Sequence, residues 1–435
     1  MPFSDSDAIT KVGPKTPMGK FMRRFWLPAA KSSEIKLNGG PLRLVLLGEK
    51  LIAFRDNSGR VGIMDHRCPH RCASLFYGRN EAGGIRCVYH GWKFDVDGNC
   101  TDMPNVPKEQ VFKHKVKARA YKTLERNGVI WVYMGEKEEA PKLPSLGPNL
   151  LPEEDVSIRF ILRECNWLQA MEGDLDTSHV GFLHAGLSRT EDVSEKDDHH
   201  RFVVSNRAPE YKVRDTEWGV MYGAHRPADD GERYWRIGQF LFPFWTMQPA
   251  GKFSEFIIAR GWVPIDDEHM MFVVIHRKAG DLGRQGAPVV GLSHEYEFIS
   301  NNTDWYGRWR LVANKRNDYL INRGVQKKYS YTGIEGLHIQ DQAITESMGS
   351  ITDHSFEHLA PSDIMITQVR KRLLLAVRAY EKNRSLPTVA KDASIYQNVR
   401  SGNFVAPEDQ DWLEAYKEQY KAAVKVEDLL SVAAE

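Results

Sequence analysis

The sequence predicts an α+β protein in which a small all-β domain precedes a larger antiparallel sheet packed by helices. Three observations carry that expectation. With 435 residues the chain exceeds one ordinary domain. From about Gly39 to Tyr133, short apolar runs alternate with turn-forming Gly, Asn and Asp, the pattern of a β domain. Beyond a charged, Pro-rich stretch at 136–152, helical and strand-like periodicities follow one another, as in a sheet covered by helices. The expected division is an N-terminal segment 1–38, a first domain 39–138, a linker 139–152 and a second domain 153–435.

Each element has a local reason. Leu-Arg-Leu-Val-Leu-Leu at 42–47 and Leu-Ile-Ala-Phe at 51–54 are β-prone runs separated by Gly48-Glu49-Lys50. Asp97-Gly98 marks a hairpin turn, because both residues tolerate the positive φ such turns demand. Val129-Ile130-Trp131-Val132-Tyr133 closes the domain. After the linker a helical segment is expected, then strands between about Phe202 and Arg277. The last region is helical: Ile366, Val369, Leu373, Leu374, Val377 and Tyr380 recur at helical spacing, with Ser362 as N-cap.

Composition narrows the function. A net charge of +1 gives no reason to expect nucleic acid or an anionic membrane as partner. No apolar run reaches the roughly eighteen residues of a membrane-spanning helix. Met1-Pro2-Phe3-Ser4-Asp5 lacks the layout of a signal peptide. The five cysteines are Cys68, Cys72, Cys87, Cys100 and Cys165, an odd number gathered mostly around one motif. That usage speaks for a reducing cytoplasm and against a disulfide framework.

That motif is Cys68-Pro69-His70 followed, sixteen residues on, by Cys87-Val88-Tyr89-His90. Each clamp mixes one thiolate with one imidazole, whereas zinc-site spacing usually pairs like ligands. A 2Fe–2S cluster with two Cys on one iron and two His on the other is a Rieske centre, and its imidazoles raise the potential above that of an all-Cys cluster. Cys68, His70, Cys87 and His90 are therefore the expected cluster ligands. Cys72 reads as a spare small residue in the cluster loop, and Gly91-Trp92 as a tight turn with an apolar cover.

A second constellation runs from Asn166 to His184. His179 and His184 plus one carboxylate would make a 2-His-1-carboxylate triad, which leaves one face of a ferrous ion open for O₂ and substrate. On an ideal helix these histidines would point about 140° apart, so the helix must end or distort before both reach one metal; Gly181 is available for that. Glu172 and Asp176, spaced i, i+4, would share a face.

The segments Ile63 to Arg71 and Arg86 to Phe94 resemble the cluster-binding segments of Rieske non-haem iron oxygenases, and the resemblance extends from Gly13-Pro14-Lys15 to the helix after Ser362. It implies a Rieske 2Fe–2S domain followed by a helix-grip-like antiparallel-sheet catalytic domain carrying a mononuclear Fe(II). Asp176, His179 and His184 match the family's Asp-x₂-His-x₄-His iron motif. Gln340-Asp341-Gln342-Ala343 resembles the position of the third iron ligand in the phthalate dioxygenase branch, which points to Asp341, with Asp353 and Asp363 as fallbacks. The family's Asp at position 176 bridges the Rieske His of one subunit to the iron-ligand His of its neighbour. His90 and His179 would then be its partners, which implies a homotrimer or a stacked hexamer.

The branch acts mostly on aromatic carboxylates, and an Arg fork matches a carboxylate. Arg207 is the first candidate and Arg236 the second. The uncharged run from Gln239 to Met247 is a candidate wall for a flat ring. One cation beside an apolar wall favours a substituted benzoate, such as a chlorobenzoate, dihydroxylated to a cis-dihydrodiol. The rival readings are a phthalate-type dicarboxylate dioxygenase, a Rieske monooxygenase for O-demethylation or diaryl-ether cleavage, and a plain electron carrier. A carrier leaves the 300 or so residues beyond the cluster unexplained. No flavin or nicotinamide signature is visible, so electrons must come from NAD(P)H through a separate flavin or ferredoxin-type reductase.

Overall fold

A computed structural model of the chain describes residues 3–192, 200–249, 251–254, 257–278 and 296–432. Its first sheet has six strands in the order Trp26–Lys31, Val129–Tyr133, Ala120–Arg126, Val61–Asp65, Glu49–Arg55 and Leu42–Leu46. All five residues of Val129–Tyr133 are buried because the strand lies between two neighbours with both faces covered. The Leu42–Leu46 and Glu49–Arg55 strands turn through Leu47 and Gly48, both at positive φ (47° and 74°), as a two-residue hairpin of this hand requires. A four-stranded sheet, Arg79–Glu81, Gly84–Arg86, Lys93–Phe94 and Cys100–Asp102, stands beside it. It has its own core around Phe54, Met64, Leu75, Ile85, Trp92 and Phe94.

The larger sheet is antiparallel and eight-stranded: Val156–Arg163, Met270–Arg277, Ile258–Pro264, Trp245–Met247, Glu232–Leu241, Gly219–Pro227 and Glu210–Asp215, with Gly402–Pro407 also paired to Glu232–Leu241. Directly opposed residues share a face. Ala224 opposes Arg236, Arg226 opposes Tyr234, Thr246 opposes Arg260, Arg260 opposes Val274, and Trp262 opposes Phe272. That inner face receives the helices Trp167–Leu175 and Ile364–Asn383, whose Leu168, Met171, Val369, Leu373 and Val377 join Val220, Tyr222 and Phe240 in the main core. On the outer face, Trp235 and Ile237 meet Trp412 and Tyr416 of the helix Trp412–Val432. No helix among the described residues is long and apolar enough to cross a membrane.

Several expectations need correction. The strand Trp26–Lys31 belongs to the first sheet, so the β domain starts ahead of residue 39. The stretch 139–152 is no loose linker: Leu143, Leu146, Pro148 and Asn149 are buried, and Trp26 Nε1 donates to the Pro141 carbonyl at 2.9 Å. After a short 3₁₀ turn at Glu153–Asp155 comes a strand instead of the expected helix, Val156–Arg163, whose partner Met270–Arg277 lies far along the chain and leaves no local trace. Residues His200–Ser205 form a helix, so the strands begin at Glu210 instead of near Phe202. Ser362 sits in a 3₁₀ turn, and Asp363 occupies the cap position without a side-chain cap bond.

Candidate metal centres

Asn166 caps the Trp167–Leu175 helix, its side-chain oxygen accepting from Leu168 N–H at 3.0 Å. The helix stops at Leu175, Asp176 turns extended, and a 3₁₀ turn at His179–Gly181 follows. Ending the helix there solves the orientation problem posed by the histidine spacing. The Nε2 atoms of His179 and His184 come within 3.2 Å of each other. Asp341, on the helix Leu337–Ser347, brings a carboxylate oxygen to 3.1 Å from His184 Nε2 and 3.5 Å from His179 Nε2. One ligand atom from each residue lies within 4.8 Å of the others. This is the donor set of a 2-His-1-carboxylate site, and the chemistry of the residues fits Fe(II). Asp353 and Asp363, the fallbacks, are turn residues that accept from Ser355 N–H at 2.9 Å and Ala360 N–H at 2.7 Å.

The outer atoms of both rings are also engaged. Gln340 donates through Nε2 to the Ile334 carbonyl at 2.8 Å, which turns its Oε1 toward His184 Nδ1, also at 2.8 Å. Nδ1 of His184 must therefore carry the proton, and Nε2 offers its lone pair inward. His179 presents Nδ1 to Asp176 Oδ2 at 3.5 Å. The other oxygen of Asp176 accepts from Ser178 N–H and Oγ–H, each at 2.7 Å. Burial pushes His179 toward its neutral form, but Asp176 and Asp341 outweigh burial and lift it to about 10. Burial likewise works against ionisation of Asp341, and the two imidazoles hold it well below the usual carboxylate range. Gln340 was not expected from sequence; an amide beside a metal-ligand Asp has no local signature.

Glu172 faces elsewhere. Arg370 clamps it with two hydrogen bonds of 2.6 Å and holds Glu357 with another of 2.6 Å. Glu172, His354 and Glu357 have metal-ligand spacing, but both carboxylates are already hydrogen-bonded to the Arg370 guanidinium. Asp176, the C-cap, does not share the helical face of Glu172.

The cluster clamps sit on hairpin loops. Cys68 N–H donates to the Ala73 carbonyl and Cys87 N–H to the Trp92 carbonyl, both at 2.8 Å. Cys68 and Cys87 are 1% and 3% exposed, while His70 and His90 are half-buried. The two imidazoles meet edge to face at 4.4 Å, and Trp92 stacks on His70 at 4.3 Å. Burial, with Cys87 nearby, pushes the Cys68 thiol up to about 12, a cost that metal ligation removes by taking the thiolate. Gly91 has φ of 79°, and a Cβ there would come within 2.5 Å of Pro104, so this turn requires glycine. Cys72 is exposed at φ of 62° and lies outside the paired thiols.

The two arginines differ. Arg207 donates to the carbonyls of Gly186 at 3.0 Å and Ser188 at 3.3 Å and lies over Phe182, so it secures the turn behind His184 instead of standing free as a clamp. Arg236 stands on the inner face with Nε donating to Thr177 Oγ1 at 2.8 Å, and no carboxylate among the described residues pairs with it. Phe240, Leu241, Phe242, Phe244 and Trp245 of the apolar run are almost wholly buried in the main core.

Comparison with known proteins agrees with this architecture. The Rieske [2Fe-2S] domain family matches residues 25–122, and the LigXa C-terminal domain-like family matches residues 132–432. The chain is 46% identical to the 3-chlorobenzoate-3,4-dioxygenase oxygenase subunit of Comamonas testosteroni, over 97% of this chain and 99% of the relative. It is 34% identical to the phthalate 4,5-dioxygenase oxygenase subunit of Pseudomonas putida, over 95% and 94%. Among solved structures, dicamba monooxygenase bound to dicamba shares the fold at 16% identity and a TM-score of 0.56, covering 83% of this chain and 99% of that one. The chain belongs to the Rieske non-haem iron oxygenases, in the phthalate dioxygenase branch. It is the oxygenase component of a multi-component enzyme that carries a Rieske 2Fe–2S cluster and a mononuclear iron and depends on a reductase or ferredoxin for electrons.

Proposed function

We propose that this chain dihydroxylates a substituted benzoate of the chlorobenzoate class to a cis-dihydrodiol. The observation that carries the reading is the convergence of His179, His184 and Asp341 beside the inner face of the large sheet. The 46% identity to a chlorobenzoate dioxygenase subunit, end to end, supports the substrate class. Phthalate, with a second carboxylate, is the weaker reading at 34%. Arg236 on the inner face gives that face a positive field suited to an anionic ring.

In this reading His179, His184 and Asp341 hold the mononuclear iron, and Cys68, His70, Cys87 and His90 hold the cluster. Bound there, the two centres supply electrons and O₂ activation. His184 keeps its orientation through Gln340, and His179 through Asp176. The Asp176 side chain keeps 21% of its surface exposed, and among the described residues its Oδ2 carries only the 3.5 Å contact to His179, which leaves it able to accept an imidazole N–H from a neighbouring copy. His90, half-buried on the cluster loop, is the partner that bridge would use, and a homotrimer or stacked hexamer the assembly.

The test is product analysis. With a surrogate reductase and ¹⁸O₂, 3-chlorobenzoate should yield a cis-dihydrodiol carrying both labels. A product with a single label would assign the chain to monooxygenation, and strict need for two carboxylates would restore phthalate.

A further inference from the structure

His338 stands one helical turn ahead of Asp341 on the helix Leu337–Ser347, so the two side chains share a face. Its ring is 6% exposed, stacks on Phe272 at 4.7 Å with planes 20° apart, and meets Tyr296 edge to face at 5.5 Å. Arg163 Nη2 lies 3.1 Å from His338 Nδ1. A guanidinium can only donate, so Nδ1 must hold its lone pair and the proton must sit on Nε2. Arg163 is itself held, donating to Thr345 Oγ1 at 3.1 Å, so the tautomer is locked. The resulting Nε2–H is buried and has no hydrogen-bond partner among the described residues. Such a donor is rare in a finished interior and asks for an acceptor.

The surroundings say which acceptor. Arg159 lies 4.4 Å over Tyr296, Arg163 5.5 Å from the Phe272 ring centroid, and Arg260 5.9 Å from the same centroid. Arg260 donates to Asp174, which also accepts from the Thr246 hydroxyl, and the Arg260 side chain still keeps 20% of its surface open although its strand lies inside the sheet. Burial and then Arg163 hold His338 well below the ordinary imidazole range, so it stays a neutral donor in a positive field.

We propose that His338 is a substrate-positioning residue whose Nε2–H grips one carboxylate oxygen of the aromatic acid. This rests on the aromatic-acid reading given above. Arg163 sets the tautomer from behind, and Arg159 and Arg163, which no carboxylate pairs among the described residues, favour an anion over a neutral group, whereas Arg260 is already paired with Asp174. The ring of the acid would lie against Phe272 and Tyr296, within reach of the side on which Asp341 sits.

The experiment is equilibrium dialysis of the metal-loaded enzyme with 3-chlorobenzoate and with its methyl ester, for the native protein, His338→Phe, His338→Glu and Arg236→Ala. His338→Phe removes the donor and keeps the stack, and should weaken the acid by about tenfold to a hundredfold while leaving the ester unchanged. His338→Glu keeps Arg163 paired and reverses the local charge, so it remains informative if the Phe variant loses its metals; acid binding should then fall further. Acid preference that survives in the folded His338 variants, or that disappears only in Arg236→Ala, overturns the assignment. A native protein with no preference for acid over ester sinks the aromatic-acid reading, and the His338 role with it.

Discussion

At the cluster end, Cys68 and Cys87 are buried while their companion imidazoles His70 and His90 reach the surface, and both clamps hang from short hairpins. At the mononuclear end, His179, His184 and Asp341 come from two helix-flanked segments more than 150 residues apart, and their orientation is set from outside by Gln340 and Asp176. The first arrangement suits electron transfer: thiolates shielded in apolar packing and an imidazole edge presented to a partner. The second suits chemistry on a substrate: nitrogen and oxygen donors gathered on one side beside a broad inner sheet face. The cluster end is locally determined, whereas the mononuclear end is a tertiary construction.

That contrast can be broken most sharply at Asp341. Asp341→Asn should abolish turnover and remove about one iron in three per chain, given two irons in the cluster and one in the facial site, while the cluster spectrum stays intact. Metal analysis with visible spectroscopy checks it. Loss of the cluster as well would show that the two ends are not independent.

On the proposed bridge from Asp176 to His90 of a neighbouring copy, Asp176→Asn should keep both metals yet nearly eliminate turnover, since that link would fail while the ligands remain. Iron counting beside single-turnover kinetics decides. If this variant loses the mononuclear iron and Asp341→Asn keeps it, the two roles are reversed.

At the other end, His70→Cys should either prevent assembly or lower the cluster potential toward the all-Cys range, a shift of several hundred millivolts. A redox titration reads the shift directly, and an unchanged potential would remove His70 from the ligand set.

A smaller effect is expected at Gln340. Gln340→Ala frees the outer nitrogen of His184 and should weaken iron binding by about 10–100-fold without touching the cluster. Competition with a chelator measures it.

The smallest effect concerns pH. In protein stripped of its mononuclear iron, His179 carries a proton with its pKa lifted from 6.5 to about 10. A raised folded-state value means that the stabilisation is fully present below about pH 6.5 and fades as the pH rises through about 10. Thermal melts of the stripped protein across that window should show a decline that His179→Asn lacks, and bound iron, taking the place of the proton, should suppress it. Identical slopes in both proteins would detach His179 from this linkage.

Much of the first sheet was legible because its strands are short, apolar and bounded by turn chemistry. The 129–133 run and the Leu42–Leu46 strand stand where their patterns place them. The helix Ile364–Asn383 was legible for the same reason, since its buried Val369, Leu373 and Val377 recur every four residues. Val156–Arg163 and Gly402–Pro407 escaped because each finds its strand partner more than 100 residues away. The packed stretch at 139–152 escaped because proline-rich composition looks alike whether a segment is free or pinned.

Legible in the sequence was the ligand chemistry: two mixed Cys/His clamps, a histidine pair five residues apart, and the need for any helix carrying that pair to end or distort, for which Gly181 was available, although the helix in fact stops earlier, at Leu175. These follow from local covalent spacing, which a reader can measure along the chain. The family resemblance pointed to Asp341 and to Asp176 beside His179; only the packed chain shows the Asp341 carboxylate within 3.1 Å of His184, Gln340 against the outer nitrogen of that ring, Arg207 tied to backbone carbonyls, and Arg163 against Nδ1 of His338. Those pairings depend on how the sheet and helices pack, because a hydrogen bond reaches about 3 Å in space however many residues separate its ends along the chain.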